Sequence, residues 1–273
     1  MSAPRVSGRR LIALDIDGTV MHEDGTITEA VTEAIARAVA EGDEVMLATG
    51  RSPASTLPVV ARLGIAPEYV VCCNGAVTLR RDDDAVGGYR PDVVETFDPS
   101  EVLQNIRRFL PDAHYAVEDA EGAFFYTEAF PGGAVMGVET THVPFEELLG
   151  RLCTRVVVIS PETGIDEFSG LVEQMGLHQV SYAIGWTAWL DIAPHGVNKS
   201  TALELVRQEL GIDRADVVAV GDGRNDIEML TWAAAEGSGL AMGQAPEEVQ
   251  AVASAVVPPV HEDGVAAALG ALR

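Results

Sequence analysis

The sequence predicts an α/β chain, a doubly wound parallel sheet interrupted by an inserted α+β segment. Three observations point to it. Short, continuous apolar runs alternate with helix-length amphipathic stretches at both ends of the chain, the pattern of strand–helix–strand units whose sheet is covered on both faces. Three of those runs end in polar groups, "DIDGT", "ATGR" and "GDGRND", as strands do whose carboxyl ends face a ligand. Between residues 87 and 189 the alternation stops and strand-like runs follow one another.

"RLIALDID" (10–17) is a buried parallel strand ending in carboxylates. "TITEAVTEAIARAVAEG" (26–42) has helical spacing, with Thr28 as N-cap and Gly42 as stop. "EVMLATGR" (44–51) is a second strand, 52–64 a helix in which Pro58 is an irregularity, and "EYVVCCNGA" (68–76) a third strand running out into Asn-Gly. Residues 80–91 read as a turn-rich junction. The insertion then offers a helix near 99–110, strands near 113–119, 123–128 and 155–160, a helix near 164–175 and a strand-rich stretch over 179–193. Strand–helix alternation resumes with a helix at 198–211, a strand at 216–223, a helix at 225–233, and further strands and helices over 239–272. The expected division is a discontinuous Rossmann-like core, 1–86 and 190–273, around an inserted domain, 87–189.

Composition narrows the function. With 47% hydrophobic and 5% aromatic residues, the chain supports an aliphatic core and is not a disordered polymer. Its net charge of −24 argues against nucleic acid or an anionic membrane as partner. An anionic substrate would therefore need a strong local cation. Cys72, Cys73 and Cys153 are odd in number and lack CxxC spacing, so they read as buried thiols in a reducing cytoplasm. The N-terminal segment resembles a signal peptide only as far as "LIAL", because Asp15 ends the apolar run. No run approaches the ~20 residues of a membrane helix.

The chemistry gathers at the strand ends. Asp15, Asp17 and Asp222 would crowd carboxylates that repel unless a cation lies between them or one is protonated. Oxygen ligands in that number suit Mg²⁺, which also takes substrate oxygens. Thr49 offers a hydroxyl, and Gly50 an amide with no side chain in the way. Of 18 basic residues, a single one is lysine, Lys199, at a helix start where anions bind. Read alone, Lys199 is a solvated helix residue; beside these carboxylates it is a compact charge for a phosphoryl group. An aspartate can attack phosphorus, and a second one two residues on can serve as acid and then base.

"LDIDGT", "ATGR", "NKS" and "GDGRND", in that order, resemble the four motifs of the haloacid dehalogenase-like phosphatases. "CCNGA", the insertion and the C-terminal segment resemble the Cof-type (type IIB) branch. The resemblance implies that the insertion is a cap. It implies Asp15 as nucleophile and Mg²⁺ ligand, Asp17 as general acid/base and Mg²⁺ ligand through its carbonyl, and Asp222 as third ligand. Thr49, Gly50 and Lys199 would hold the phosphoryl group, Asn225 would contact phosphate or substrate, and Asp226 would support the metal or orient Lys199. Arg224 and Gln244 depart from the family pattern. The implied activity is phosphatase action on small phosphomonoesters, usually sugar phosphates, by a monomer or homodimer. A phosphomutase and a metabolite-binding sensor on the same fold are the alternatives. The insertion carries 16 acids and 5 arginines, which suits a small hydroxylated monophosphate and not a polyanion. His114, Tyr126, Glu128 and Trp186 are candidate cap contacts.

Overall fold

The structure is a computed structural model that describes residues 8–130, 139–177, 180–184 and 188–272. Its centre is a parallel sheet built around β1 (Leu11–Leu14), with β2 (Glu44–Leu47) on one side and β12 (Val217–Gly221), β13 (Ser238–Met242) and β14 (Ala255–Val257) on the other. Every residue of β1, β2 and β12 is buried, which explains their unbroken apolar runs: a strand covered on both faces has no solvent side to mark with polar residues. Ile12, Leu14, Val45 and Val220 face α1 (Glu29–Ala40), α2 (Pro53–Leu63) and α8 (Gly264–Ala271). Leu11, Ala13, Met46 and Ala219 face α5 (Lys199–Leu210), α6 (Ile227–Ala234) and α7 (Glu247–Val252). The sheet is thus doubly wound, as the alternation predicts. Thr28 caps α1 through the Val31 amide, and α2 runs through Pro58.

Beyond β2, β3 (Tyr69–Cys72) joins through the parallel bridge Ala48–Val71 and then pairs antiparallel with β4 (Val77–Arg81), which pairs with β5 (Tyr89–Val94). Here the turn-rich junction expected over 80–91 is corrected, since both flanks of that turn are strands. β5 is an outer, mostly exposed strand, where charged residues and Pro91 are tolerated. Its polarity hid it.

The insertion contains α3 (Ser100–Phe109), β6 (His114–Glu118), β7 (Phe124–Tyr126), β8 (Thr140–His142), β9 (Arg155–Ile159), α4 (Ile165–Met175), β10 (Val180–Ile184) and β11 (Trp189–Pro194). The strands form one sheet in the order β10-β11-β9-β6-β7-β8, antiparallel except for β7 against β8. Tyr115, Val117, Val156, Val158, Leu190 and Ile192 pack on α3 and α4. Side chains alternate along a strand, so Glu118, Arg155, Val157 and Asp191 occupy the opposite face. The junctions expected at 86/87 and 189/190 shift. β5 belongs with β4, and Glu95 still donates to Ala76, whereas β11 pairs with β9 as far as Ile192 and with β10 as far as Pro194. No helix among the described residues is long and apolar enough to cross a membrane.

Candidate active site

Several chain segments meet at the carboxyl ends of the parallel strands. β1 delivers Asp15, whose amide donates to Val220 at 3.0 Å. The chain then turns through Gly18 (φ +77°), whose amide donates to Met21. β12 delivers Asp222, and a 3₁₀ turn over Arg224–Asp226 returns Asp226 beneath it. α5 opens on Asn198, which exchanges hydrogen bonds with Thr201 as an N-cap, so Lys199 is the first helical residue.

Lys199 is fully buried. Its Nζ donates to Asp15 Oδ1 at 2.6 Å and to Asp226 Oδ1 at 2.7 Å. The second oxygen of Asp226 accepts from the amides of Asp222 (3.0 Å) and Gly223 (2.9 Å). Asp226 therefore bridges Lys199 and two backbone amides, tying α5 to the turn after β12. Thr19 Oγ1 donates to Asp222 Oδ1 at 3.1 Å, and Gln244 Nε2 reaches both Asp222 Oδ2 (3.3 Å) and the Gly18 carbonyl (2.6 Å). The departure at Gln244 thus lies at the site, whereas Arg224 turns away to pair with Glu248 at 2.7 Å.

Burial pushes the Asp15 carboxyl well above its usual range; Lys199 pulls it down, while Asp226, Asp222 and Asp17 push it further up. Burial, then Asp226, pushes Asp222 up to about 7. Burial opposes the Lys199 ammonium, but Asp15 and Asp226 outweigh it and keep it charged. Asp15, Asp222 and Asp226 bring carboxylate oxygens within 4.8 Å of one another. A hard oxygen set of this kind, destabilised by its own charge, fits a divalent cation. The cradle is shaped by Gly18, where a Cβ would stand 2.2 Å from Asp222 Oδ2. The side chain of Asp17 is not in this group. Arg51 holds it in a two-point ion pair, Nε to Oδ2 at 2.7 Å and Nη2 to Oδ1 at 2.5 Å.

Thr49 is buried, and its Oγ1 accepts from the Arg51 amide at 3.1 Å. Gly50 leaves room for Asn74, whose side chain would lie 3.1 Å from a Cβ there. Asn74 is left-handed (φ +51°) and accepts from Asn225 Nδ2 at 3.0 Å. Thr49, Gly50 and Asn225 thus meet around Asn74, while Asp15, Lys199, Asp222 and Asp226 form the buried charged cluster. All three cysteines are free and buried, and burial raises their thiols, Cys72 to about 12.

Sequence reasoning passed over Thr19, Arg51, Asn74 and, from the insertion, Glu118, Arg155 and Asp191. The signal for Arg155 was present, an arginine opening the otherwise apolar strand "RVVVI". Among the candidate cap contacts, His114 Nδ1 bonds the Ala129 carbonyl at 2.9 Å, Tyr126 meets His142 edge-on, and Glu128 is exposed. Trp186 lies outside the described residues.

The sequence model of the haloacid dehalogenase-like hydrolases matches residues 12–269. The chain is 27% identical over 272 residues to the 5-amino-6-(5-phospho-D-ribitylamino)uracil phosphatase YitU of Bacillus subtilis (strain 168), covering 94% of each chain. BT1666, a phosphatase of the same superfamily from Bacteroides thetaiotaomicron, superposes with a TM-score of 0.74 at 26% identity, over 98% of this chain and 97% of its own. A solved subclass IIB sugar phosphatase shares the fold with a TM-score of 0.76 at 23% identity, over 96% of this chain and 98% of its own. The chain belongs to the haloacid dehalogenase-like hydrolase family and is an enzyme of its phosphatase kind.

Proposed function

We propose that the protein is a Mg²⁺-dependent phosphatase of small phosphomonoesters, sugar phosphates or similar hydroxylated metabolites, working through an aspartyl-phosphate on Asp15. The observation that carries this is the buried triad in which Lys199 bonds Asp15 at 2.6 Å and Asp226 at 2.7 Å, with Asp222 in the same carboxylate group. A nucleophile kept beside a fixed ammonium, with hard oxygen ligands alongside, is what transfer of a dianionic group requires.

In this mechanism an Asp15 oxygen attacks phosphorus and the bond from phosphorus to the leaving oxygen breaks. Asp17 supplies the proton that the leaving oxygen takes up. Asp17 then accepts a proton from the water whose oxygen attacks the phosphoryl group, and the bond to Asp15 breaks to give orthophosphate. For either step Asp17 must leave Arg51. Lys199, the Thr49 hydroxyl and the Gly50 amide would hold the phosphoryl oxygens, and Asn225 would contact phosphate or substrate. Asp15, Asp222 and the Asp17 carbonyl would hold Mg²⁺, with Asp226 beside them; when bound, the ion would offset phosphate charge. The unit from about residue 96 to 194 would act as a cap, its carboxylates meeting the hydroxyls of the leaving group.

The test is phosphate release from a panel of small phosphomonoesters in Mg²⁺ and in EDTA. Release in Mg²⁺, lost in EDTA and in Asp15→Asn, supports the reading. Conversion of a sugar phosphate into its isomer without free phosphate would replace it with a phosphomutase.

A further inference from the structure

Arg155 belongs to the insertion, at the start of β9, yet among the described residues its directed side-chain hydrogen bond to a backbone oxygen crosses to the core. Nη1 donates to the Gly50 carbonyl at 2.5 Å. The carbonyls on either side of Gly50 are held by the core's own turn: the Asn74 amide donates to Thr49 at 3.0 Å and the Cys73 amide to Arg51 at 2.9 Å. Three successive carbonyls of the loop thus have three donors, two from the core and one from the insertion. A peptide unit is planar, so fixing the Gly50 oxygen also fixes the Arg51 amide, which points at Thr49 Oγ1.

Behind the guanidinium stand two acids of the insertion. Arg155 Nε is 3.6 Å from Glu118 Oε2 and 3.5 Å from Asp191 Oδ1. Neither approach is a hydrogen bond, and among the described residues Arg155 Nε and Asp191 Oδ1 are both buried without a hydrogen-bond partner. Cys73 Sγ lies 3.9 Å from Glu118 Oε2, a second link from the turn to the insertion. The acids therefore hold Arg155 by charge, while its directed bond goes to the core. A residue serving only the stability of the insertion would show the reverse.

We propose that Arg155 is a positioning residue of the phosphate loop: carried by the insertion, it locks the Gly50–Arg51 peptide when the insertion is seated, so that the loop is complete only in the docked enzyme. This rests on the reading of Thr49 and Gly50 as phosphate-holding groups.

The test uses the full-length Arg155→Lys and Arg155→Met proteins. It reads orthophosphate affinity by calorimetry in Mg²⁺ and hydrogen exchange of the Gly50 and Arg51 amides. Lysine keeps a charge between Glu118 and Asp191, but its single nitrogen cannot also reach the Gly50 carbonyl. Loss of a charged hydrogen bond of this kind corresponds to affinity weakened about 10- to 100-fold. The expected result is that weakening in Arg155→Lys, with faster exchange at both amides and a Tm close to that of the native protein. Native affinity and native exchange in Arg155→Lys would overturn the inference. If Arg155→Met fails to fold, Arg155→Lys still decides it. If the native protein binds no orthophosphate, the reading of the phosphate site fails instead, and amide exchange still decides whether Arg155 locks the loop.

Discussion

Lys199 Nζ lies 2.6 Å from Asp15 Oδ1, and both residues are buried, Lys199 completely. The single lysine of the chain is therefore a buried, fixed charge and not a mobile one. Removing it as Lys199→Met leaves Asp15 and Asp226 buried without their cation, which costs about 3–5 kcal/mol. Turnover should fall by orders of magnitude, as measured by steady-state phosphate release, and urea unfolding should show the lost stability. Lys199→Arg should also be inactive, because a planar fork does not fit a site closed around one nitrogen.

Gly18 and Gly64 share a left-handed backbone, at φ +77° and +67°, but only Gly18 has a neighbour in the way. Gly64→Ala should cost about 1 kcal/mol of strain and leave activity intact. Gly18→Ala must also displace Asp222, so phosphatase activity should be lost while circular dichroism remains native.

Burial pushes Glu118 up to about 7, against the pull of Arg155. Between its unfolded value near 4.5 and about 7 the folded state holds the extra proton, so stability falls as pH rises through that window and levels off above it. The upper limit of the effect is about 3 kcal/mol. Glu118→Gln should flatten the fall in Tm between pH 5 and pH 8; an unchanged slope would show that another group is responsible.

Even with Lys199 beside them, Asp226 and Asp222 push the Asp15 carboxyl up, and Asp226 pushes Asp222 up. Millimolar Mg²⁺ should raise the Tm of the native protein by mass action. Asp222→Asn should lose that rise while being at least as stable as the native protein in EDTA at pH 8, because one buried charge is gone.

What was legible in the sequence follows from the physics of each segment. β1, β2 and β12 stood out because strands buried on both faces carry continuous apolar runs, and their polar ends delivered Asp15, Thr49 and Asp222 together. The helix expected over 198–211 placed Lys199 at its start. β5 was missed because an outer strand carrying arginine, proline and aspartate has the composition of a turn, and β4 because its short buried run Val77–Leu79 passes at once into the arginines and aspartates of that turn. The pairing of Asp17 with Arg51, and of Arg155 with Gly50, was not legible. The first depends on side-chain direction at a strand end, and the second on how two sheets face each other across a gap of 105 residues in sequence. Gln244 was noted only as a departure from a family pattern; its reach to Asp222 needed the structure.

The most direct test of Asp15 as nucleophile is a rapid acid quench during turnover of a phosphomonoester radiolabelled in its phosphoryl group, followed by peptide mapping. The expected result is label on the peptide that contains Asp15, absent in Asp15→Asn. Full turnover by Asp15→Asn, with no label on that peptide in the native enzyme, would contradict it.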